Sequence, residues 1–248
     1  MEWKEWQPIY QDIVIRLGLE SSMDVQATEL LSKLLKNVNP NPLLQLLDQK
    51  IRDKTVVVCG AGPSLENHVQ ILKERSDYQD LVFVAADGAV SLLLDQKCPC
   101  DIIVTDLDGD YNHIKQASQN GALVVVHGHG DNIDKIRKLV LDLGQVLGST
   151  QVKPTEGVFL WGGFTDGDRA CYLVTTYSPA EIILAGMDFG EVVGKWSKPS
   201  QESHFEAPQR KLIKLRIARE LISTLFEKVD IPYTILEGIP KIDVEEWS

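Results

Sequence analysis

The sequence has no run approaching 18 consecutive apolar residues; its longest strand-like runs are Leu81–Ala86 and Ala122–Val126. That excludes a helical membrane span. Basic residues are outnumbered, 25 Lys and Arg against 36 Asp and Glu for a formal charge of −11. A nucleic-acid backbone, which needs a basic surface, is therefore not the expected partner. Only four cysteines occur, at positions 59, 98, 100 and 171. Cys98-Pro-Cys100 is too tight for a CxxC redox motif or a zinc knuckle, so free thiols in a reducing compartment are expected. The first residues carry Glu2, Glu5, Asp12 and Glu20 with no apolar stretch, so no secretory signal is read and a cytoplasmic location is expected. Three enzyme signatures are also missing. Gly190-Glu-Val-Val-Gly194-Lys195 is one residue short of a P-loop and no hydroxyl residue follows the lysine; no G-x-S-x-G and no H-E-x-x-H occurs. What remains has ordinary usage, 248 residues with 44% apolar and 25% charged. A chain of this length buries a core without staples.

Residues 1–50 read as a helical segment. Trp3, Trp6, Tyr10, Ile13, Val14 and Leu17 recur at three- and four-residue steps, with Pro8 an early irregularity, and Leu30, Leu31, Leu34 and Leu35 form a second stripe that Asn39-Pro40-Asn41-Pro42 ends. Core packing or a contact between copies of the chain is the expected role. Over 51–248 the rhythm changes to short apolar runs with helix-length stretches between them: Thr55–Cys59, Leu81–Ala86, Asp101–Val104, Ala122–Val126, Gly157–Leu160 and Ala180–Ala185. This alternation predicts a mostly parallel, doubly wound α/β sheet. Such sheets take ligands beyond the carboxyl ends of their strands, and glycines and acids stand at those ends here. Residues 186–206 lack a period and read as a lid or binding segment; a helix is expected from Pro208 to about Lys228, with Leu212, Leu215, Ile222, Leu225 and Phe226 buried.

Gly60-Ala-Gly62-Pro63-Ser64 opens a helix after the first strand, and reads either as a tight packing turn or as a phosphate contact, with Ser64 as N-cap. Asp106-Leu-Asp108-Gly109 is the sharpest signal. Two carboxylates two apart on an extended strand end face the same side, as a Mg²⁺ ion requires, and Asp87 ends the preceding strand. The alternative is aspartates capping turns. His127-Gly128-His129-Gly130-Asp131-Asn132 has too few ligands for zinc; His129 reads as a donor to phosphate or substrate, and Asp131 or Asn132 as a helix cap. In Gly162-Gly163-Phe164-Thr165-Asp166-Gly167-Asp168-Arg169, Arg169 reads either as a bidentate phosphate ligand or as a surface ion pair with Asp166 or Asp168. Asp188 ends the last strand, as ligand or turn cap. Residues 195–219 carry a local excess of about +5, which suits a polyphosphate; Lys195 and Lys198 are the favoured contacts, and residues 210–219 read as a solvated helix face.

Together these strings carry a resemblance. Ala86-Asp87-Gly88-Ala89 followed by Thr105-Asp106-Leu107-Asp108-Gly109 is similar to the paired acidic motifs of thiamin pyrophosphokinases. With the Gly60–Leu65, Gly162–Ala170 and Gly186–Gly190 strings, the chain resembles the archaeal 6-hydroxymethyl-7,8-dihydropterin pyrophosphokinases over roughly residues 50–240. Gly109 stands where a serine is usual and Ala89 replaces a second glycine, which points away from thiamin itself. The resemblance implies the sheet of the thiamin pyrophosphokinase catalytic domain and Mg²⁺-dependent transfer of diphosphate from ATP to a reduced pterin, releasing AMP, for a tetrahydromethanopterin- or folate-type cofactor. It implies Asp106 and Asp108 on Mg²⁺, Asp87 and Arg169 as catalytic helpers, and ATP on Gly60, Gly62, Pro63, Ser64, Gly128, His129, Asp131, Asn132, Lys195 and Lys198. Gly163, Phe164, Thr165, Asp166 and Asp188 would face the pterin. The competing reading is a glycosyltransferase, or a motility-linked glycosylation protein, gripping a nucleotide sugar through Asp106-Leu107-Asp108.

Overall fold

Strand-forming β-branched runs build eight parallel strands: β1 (Thr55–Cys59), β2 (Val82–Ala86), β3 (Ile102–Thr105), β4 (Leu123–Gly128), β5 (Val146–Thr150), β6 (Val158–Phe159), β7 (Glu181–Ala185) and β10 (Tyr233–Ile235). A separate antiparallel pair joins β8 (Val192–Val193) to β9 (Phe205–Glu206). The structure, a computed structural model, describes residues 1–236. Across the large sheet the order is β10-β7-β1-β2-β3-β4-β5-β6. The chain steps outward from β1 to β6, then returns to the other side of β1 as β7. The crevice of the switch point thus lies between the ends of β1 and β7.

Alternate residues of each strand feed two cores. Val56, Val58, Val84, Val104, Val125 and Leu184 face one layer with α1 (Trp3–Leu17), α3 (Asn41–Ile51), α8 (Asp166–Thr175) and α9 (Gln209–Lys228). Val57, Cys59, Phe83, Ile103, Val124 and Ile183 face the other, with α2 (Ser21–Leu35), α4 (Leu65–Lys73), α5 (Ala89–Asp95), α6 (Tyr111–Gln119) and α7 (Ile133–Leu139). This is the doubly wound arrangement that the alternation of apolar runs and helices predicts.

Pro8 does not interrupt α1, which runs on to Leu17. Pro42 opens α3 as well as closing the preceding turn, because proline's missing N–H costs nothing at a helix start. Strands β5 and β10 lie outside the runs read from the sequence: β5 carries Gly148 and Ser149 at positions an apolar pattern would fill, and β10 is three residues at an edge. The N-terminal stripe is core: Trp6 is fully buried, 6.1 Å from the Tyr172 ring, and its Nε1 donates to the Gln151 carbonyl at 2.9 Å. Trp6→Ala is expected to destabilise the fold by about 3–5 kcal/mol, read from the denaturation midpoint. A loss below about 1 kcal/mol would place α1 outside the cooperative core. Among the described residues no helix is long and apolar enough to cross a membrane.

Candidate active site

The carboxyl ends of the strands open into one cavity of about 710 Å³. Its floor begins with Asp87. This residue follows β2 at φ +41°, where its N–H donates to the Val104 carbonyl at 2.8 Å and its Oδ1 accepts the Thr105 hydroxyl at 2.6 Å. The next strand ends in Asp106, whose Oδ1 accepts the Asp108 N–H at 3.0 Å and whose Oδ2 stands 3.3 Å from His129 Nε2. Asp166 arrives from far away in sequence. It is the first residue of α8, which runs back from the β6 edge across β1, β2 and β3. Asp87, Asp106 and Asp166 each offer one oxygen, all within 4.8 Å of one another.

Three acids this close, Asp87 buried and Asp106 and Asp166 half-buried, resist ionising together. Burial, then the Asp106 charge, pushes Asp87 up to about 7. Burial followed by Asp106 and Asp87 lifts Asp166 well above the usual carboxylate range. For Asp106 burial works upward as well, but the His129 contact leads the opposing effects and holds the carboxyl below its ordinary value. Oxygen donors in this number, in surroundings that raise the pKa of two of the three carboxyls, fit a hard divalent ion.

The ligand pair expected from the D-L-D spacing is not the set the structure brings together. Leu107 adopts φ +66°, so the strand end is not extended and the two carboxylates part. Asp108 instead pairs with Lys135 from α7 and with Lys198 from the β8–β9 segment. Burial opposes its ionisation, yet those two lysines hold its pKa at about 2. The segment 186–206 lies over the cavity: a Cβ on Gly194 would meet the Ala61 carbonyl at 2.2 Å, and one on Gly88 the Trp196 carbonyl at 1.8 Å.

Gly60 and Gly62 line the cavity, but Pro63 and Ser64 do not. A carboxylate already occupies the α4 start: the Ser64 N–H donates to Asp188 Oδ2 at 3.2 Å, and a Cβ on Gly62 would fall 1.9 Å from that oxygen. Ser64 stands at the N-cap position without capping; its hydroxyl contacts His68 Nδ1 at 3.2 Å. Asp188 therefore serves as the cap of a neighbouring helix while lining the cavity. His129 and Asp131 line it too, and Gly128 packs beneath, where a Cβ would meet Leu31 of α2 at 2.8 Å. Asn132 does not cap α7 with its side chain. Its Nδ2 donates to the carbonyls of Asp106 (2.8 Å) and His127 (2.7 Å), pinning the β3 and β4 ends together.

Phe164, Thr165 and Asp166 line the cavity; Gly163 lies behind them, its α-carbon packed against the Arg169 backbone at φ +80°. Asp168 closes a capping box on Thr165. Arg169 is neither a surface ion pair nor a wall of the cavity. It is 1% exposed and donates through Nη2 to the Phe164 carbonyl at 2.8 Å; Nε and Nη1 have no hydrogen-bond partner among the described residues. Burial draws its pKa down while Asp166, Asp168 and Asp106 hold it up, so it acts as a buried counter-charge beneath the acids. Lys195 turns away, its Nζ 4.6 Å over the Trp196 ring. The first turns of α9, read from sequence as a solvated face, instead supply Arg210, Lys211 and Lys214 to the cavity alongside Lys198.

Sequence reasoning also missed the α1–α2 turn and α2. Gly18, Leu19, Glu20, Met23 and Asp24 line the cavity beside the start of α9, where Arg210 Nη1 donates to the Leu17 carbonyl at 3.0 Å, and Asp24 Oδ1 accepts the Gly130 N–H at 2.7 Å. Nothing in an amphipathic leucine stripe marks such a role; a buried acid within it is the one signal available.

Comparison with known proteins places this arrangement. The family model described as 6-hydroxymethylpterin diphosphokinase MptE-like matches residues 28–194. The chain is 43% identical to the 6-hydroxymethyl-7,8-dihydropterin pyrophosphokinase of Pyrococcus furiosus, over 91% of this chain and 94% of that protein. To the protein of the same name from Methanocaldococcus jannaschii it is 39% identical, over 94% of this chain and 99% of the relative. A solved Maf glycosyltransferase from Magnetospirillum magneticum aligns with TM-score 0.47 and 14% identity, over 78% of this chain and 37% of that one.

Proposed function

The chain belongs to the MptE-like family of 6-hydroxymethylpterin diphosphokinases, and on that premise we propose that it moves the diphosphate of ATP to the hydroxymethyl group of 6-hydroxymethyl-7,8-dihydropterin. In this reading the hydroxymethyl oxygen bonds to the β-phosphorus of ATP and the oxygen bridging the α- and β-phosphorus leaves with AMP. The hydroxyl proton is released as the O–P bond forms, to water or to a phosphate oxygen. The product is an activated pterin for a tetrahydromethanopterin- or folate-type cofactor.

The observation that supports it best is the pairing of three convergent carboxylates with a wall of cations in one cavity: Asp87, Asp106 and Asp166 against Lys198, Arg210, Lys211 and Lys214. Phosphoryl transfer asks a protein for positioning and charge neutralisation more than for covalent chemistry. Asp87, Asp106 and Asp166 would hold Mg²⁺, which would supply positive charge to offset that of the phosphates. Lys211, whose pKa burial and then Lys214 lower, would regain its charge beside a phosphate anion. Lys198 reaches over from the 186–206 segment, so a triphosphate is enclosed between it and the acids. His129 orients Asp106, and Asn132 fixes the backbone on which both stand.

Incubation with MgATP and 6-hydroxymethyl-7,8-dihydropterin tests the reading. AMP and pterin diphosphate are expected in equal amounts, with loss of both on adding EDTA. ATP consumption giving ADP, or no pterin product, would overturn it.

A further inference from the structure

We infer that the crevice between the ends of β1 and β7 takes the pterin ring, with the Asp188 carboxylate receiving the N–H edge of its pyrimidine half; the assignment rests on the diphosphokinase reading above. It moves ATP off the Gly60–Ser64 turn, where the resemblance sets it.

Gly60–Ser64 leads into α4, and in a doubly wound sheet a helix start at the switch point is a place where phosphate binds. Here that place is filled from within. Asp188, on the turn after β7, accepts the Ser64 N–H on Oδ2 at 3.2 Å, and a Cβ on Gly62 would fall 1.9 Å from the same oxygen. A phosphate at the α4 start would have to displace this carboxylate or lie against its charge. The walls of the crevice offer no relief: residues 60–64 and 186–194 include no Lys, Arg or His, and Lys195, next along, holds its Nζ over the Trp196 ring. A ligand suited to this end is uncharged and brings N–H donors.

Asp188 has capacity left for them. A carboxylate offers about four lone-pair sites. The Ser64 N–H takes one, and Oδ1 has no hydrogen-bond partner among the described residues. Phe189, the next residue, holds φ +50°, a left-handed backbone that a bulky side chain adopts only where its surroundings impose it, and such positions gather at ligand sites. Val192 of β8 lines the cavity while 46% exposed, so a flat ring laid on it removes apolar surface from water.

A pterin carries its ring N3–H and its 2-amino group side by side, two donors for two carboxylate oxygens, in the manner of a guanidinium fork. Adenine sets its amino group beside the acceptor N1, which turns a lone pair toward the carboxylate. The crevice also adjoins the acids: a Cβ on Gly167, the neighbour of Asp166, would meet Met187 Sδ at 2.8 Å. With the donor edge on Asp188, the hydroxymethyl group lies on the far side of the bicycle and is directed toward that turn. The triphosphate is left the cations of α9 and Lys198.

Initial rates on the full chain, with both substrates varied, test the subsite. Asp188→Asn keeps an oxygen for the Ser64 N–H, so α4 stays capped and the Tm should hold, while its amide group turns a donor toward the donors of the pterin. The acceptor KM should rise roughly ten- to a hundredfold, the scale of a hydrogen bond to a charged group, with the ATP KM unchanged. An acceptor lacking the 2-amino group separates contact from loosening. The unmutated protein should bind it roughly tenfold more weakly than the complete pterin, and Asp188→Asn should bind the two alike. Val192→Trp, on an exposed strand, should raise the acceptor KM alone by filling the crevice, whatever the aspartate variant does to folding. An unchanged acceptor KM in either variant, or equal discrimination against the truncated acceptor by both proteins, overturns the subsite. Absence of pterin diphosphate with unmutated protein overturns the diphosphokinase reading instead, so the two failures are distinguishable.

Discussion

Replacing Asp106 with asparagine is expected to lower diphosphate transfer by at least ~100-fold, the scale on which a pre-positioned electrostatic contact contributes to a transition state. Asp106 is the member of the acidic trio that stays ionised without a cation, because the His129 contact overcomes its burial. Its oxygen lies within 4.8 Å of those of Asp87 and Asp166, so its loss removes one of the three converging ligands. Asparagine keeps the volume and the oxygen that accepts the Asp108 N–H, which leaves the turn intact. The companion variant separates two meanings of the D-L-D motif. Asp108→Asn loses two lysine partners rather than a ligand, and so should act mainly on the ATP KM, by roughly tenfold, with a smaller effect on kcat. Initial rates over a Mg²⁺ titration decide the matter: Asp106→Asn should shift the metal requirement upward and Asp108→Asn should not. Equal metal dependence in both variants would restore the adjacent pair as ligands.

The contrast marks where sequence reading succeeds. Apolar runs ending in glycine or aspartate located six of the parallel strands and the edge on which the chemistry gathers, since burial on both faces imposes a continuous apolar run. The acid pair was legible as acids but not as geometry, because a single positive φ at Leu107 turns one carboxylate from the other and no pattern of residue types announces it. Asp166 belongs with Asp87 and Asp106 only through a crossover that carries α8 from one edge of the sheet back over its middle, a long-range fact absent from local spacing. Arg169 illustrates the reverse error. A guanidinium in a glycine-rich turn reads as a phosphate ligand, yet it is drawn inward by the acids it neutralises. The cationic wall was visible as a charge excess, but which lysines face inward depends on the rotation of α9, which a helix with few sequence-distinct faces does not declare.

Asp87→Asn is expected to make the metal-free protein more stable while removing its response to Mg²⁺. The Asp87 carboxyl sits at about 7 in the fold against 3.8 when free. A carboxyl raised on folding binds its proton more tightly in the native state, so stability is greatest below the free value and is lost as pH rises from about 4 to about 7. At about 1.4 kcal/mol per unit, full ionisation above that window costs a few kcal/mol at most, and a domain of this size responds by roughly 2–4 °C per kcal/mol. Asparagine carries no charge to bury, retains an oxygen for the Thr105 hydroxyl, and tolerates the left-handed backbone at this position better than most residues. In EDTA at pH 8 the variant should therefore melt roughly 5–10 °C above the unmutated protein, and near pH 4 the two should coincide. Mg²⁺ should raise the Tm of the unmutated protein at pH 8, where the carboxylates are charged and in conflict, and raise that of Asp87→Asn far less. Thermal melts from pH 4 to 8, with and without Mg²⁺, give all four quantities. If the variant melted lower than the unmutated protein at pH 8, the carboxylate would be stabilising the fold, and the site would be a hydrogen-bonded turn, not a cation site waiting for its charge to be met.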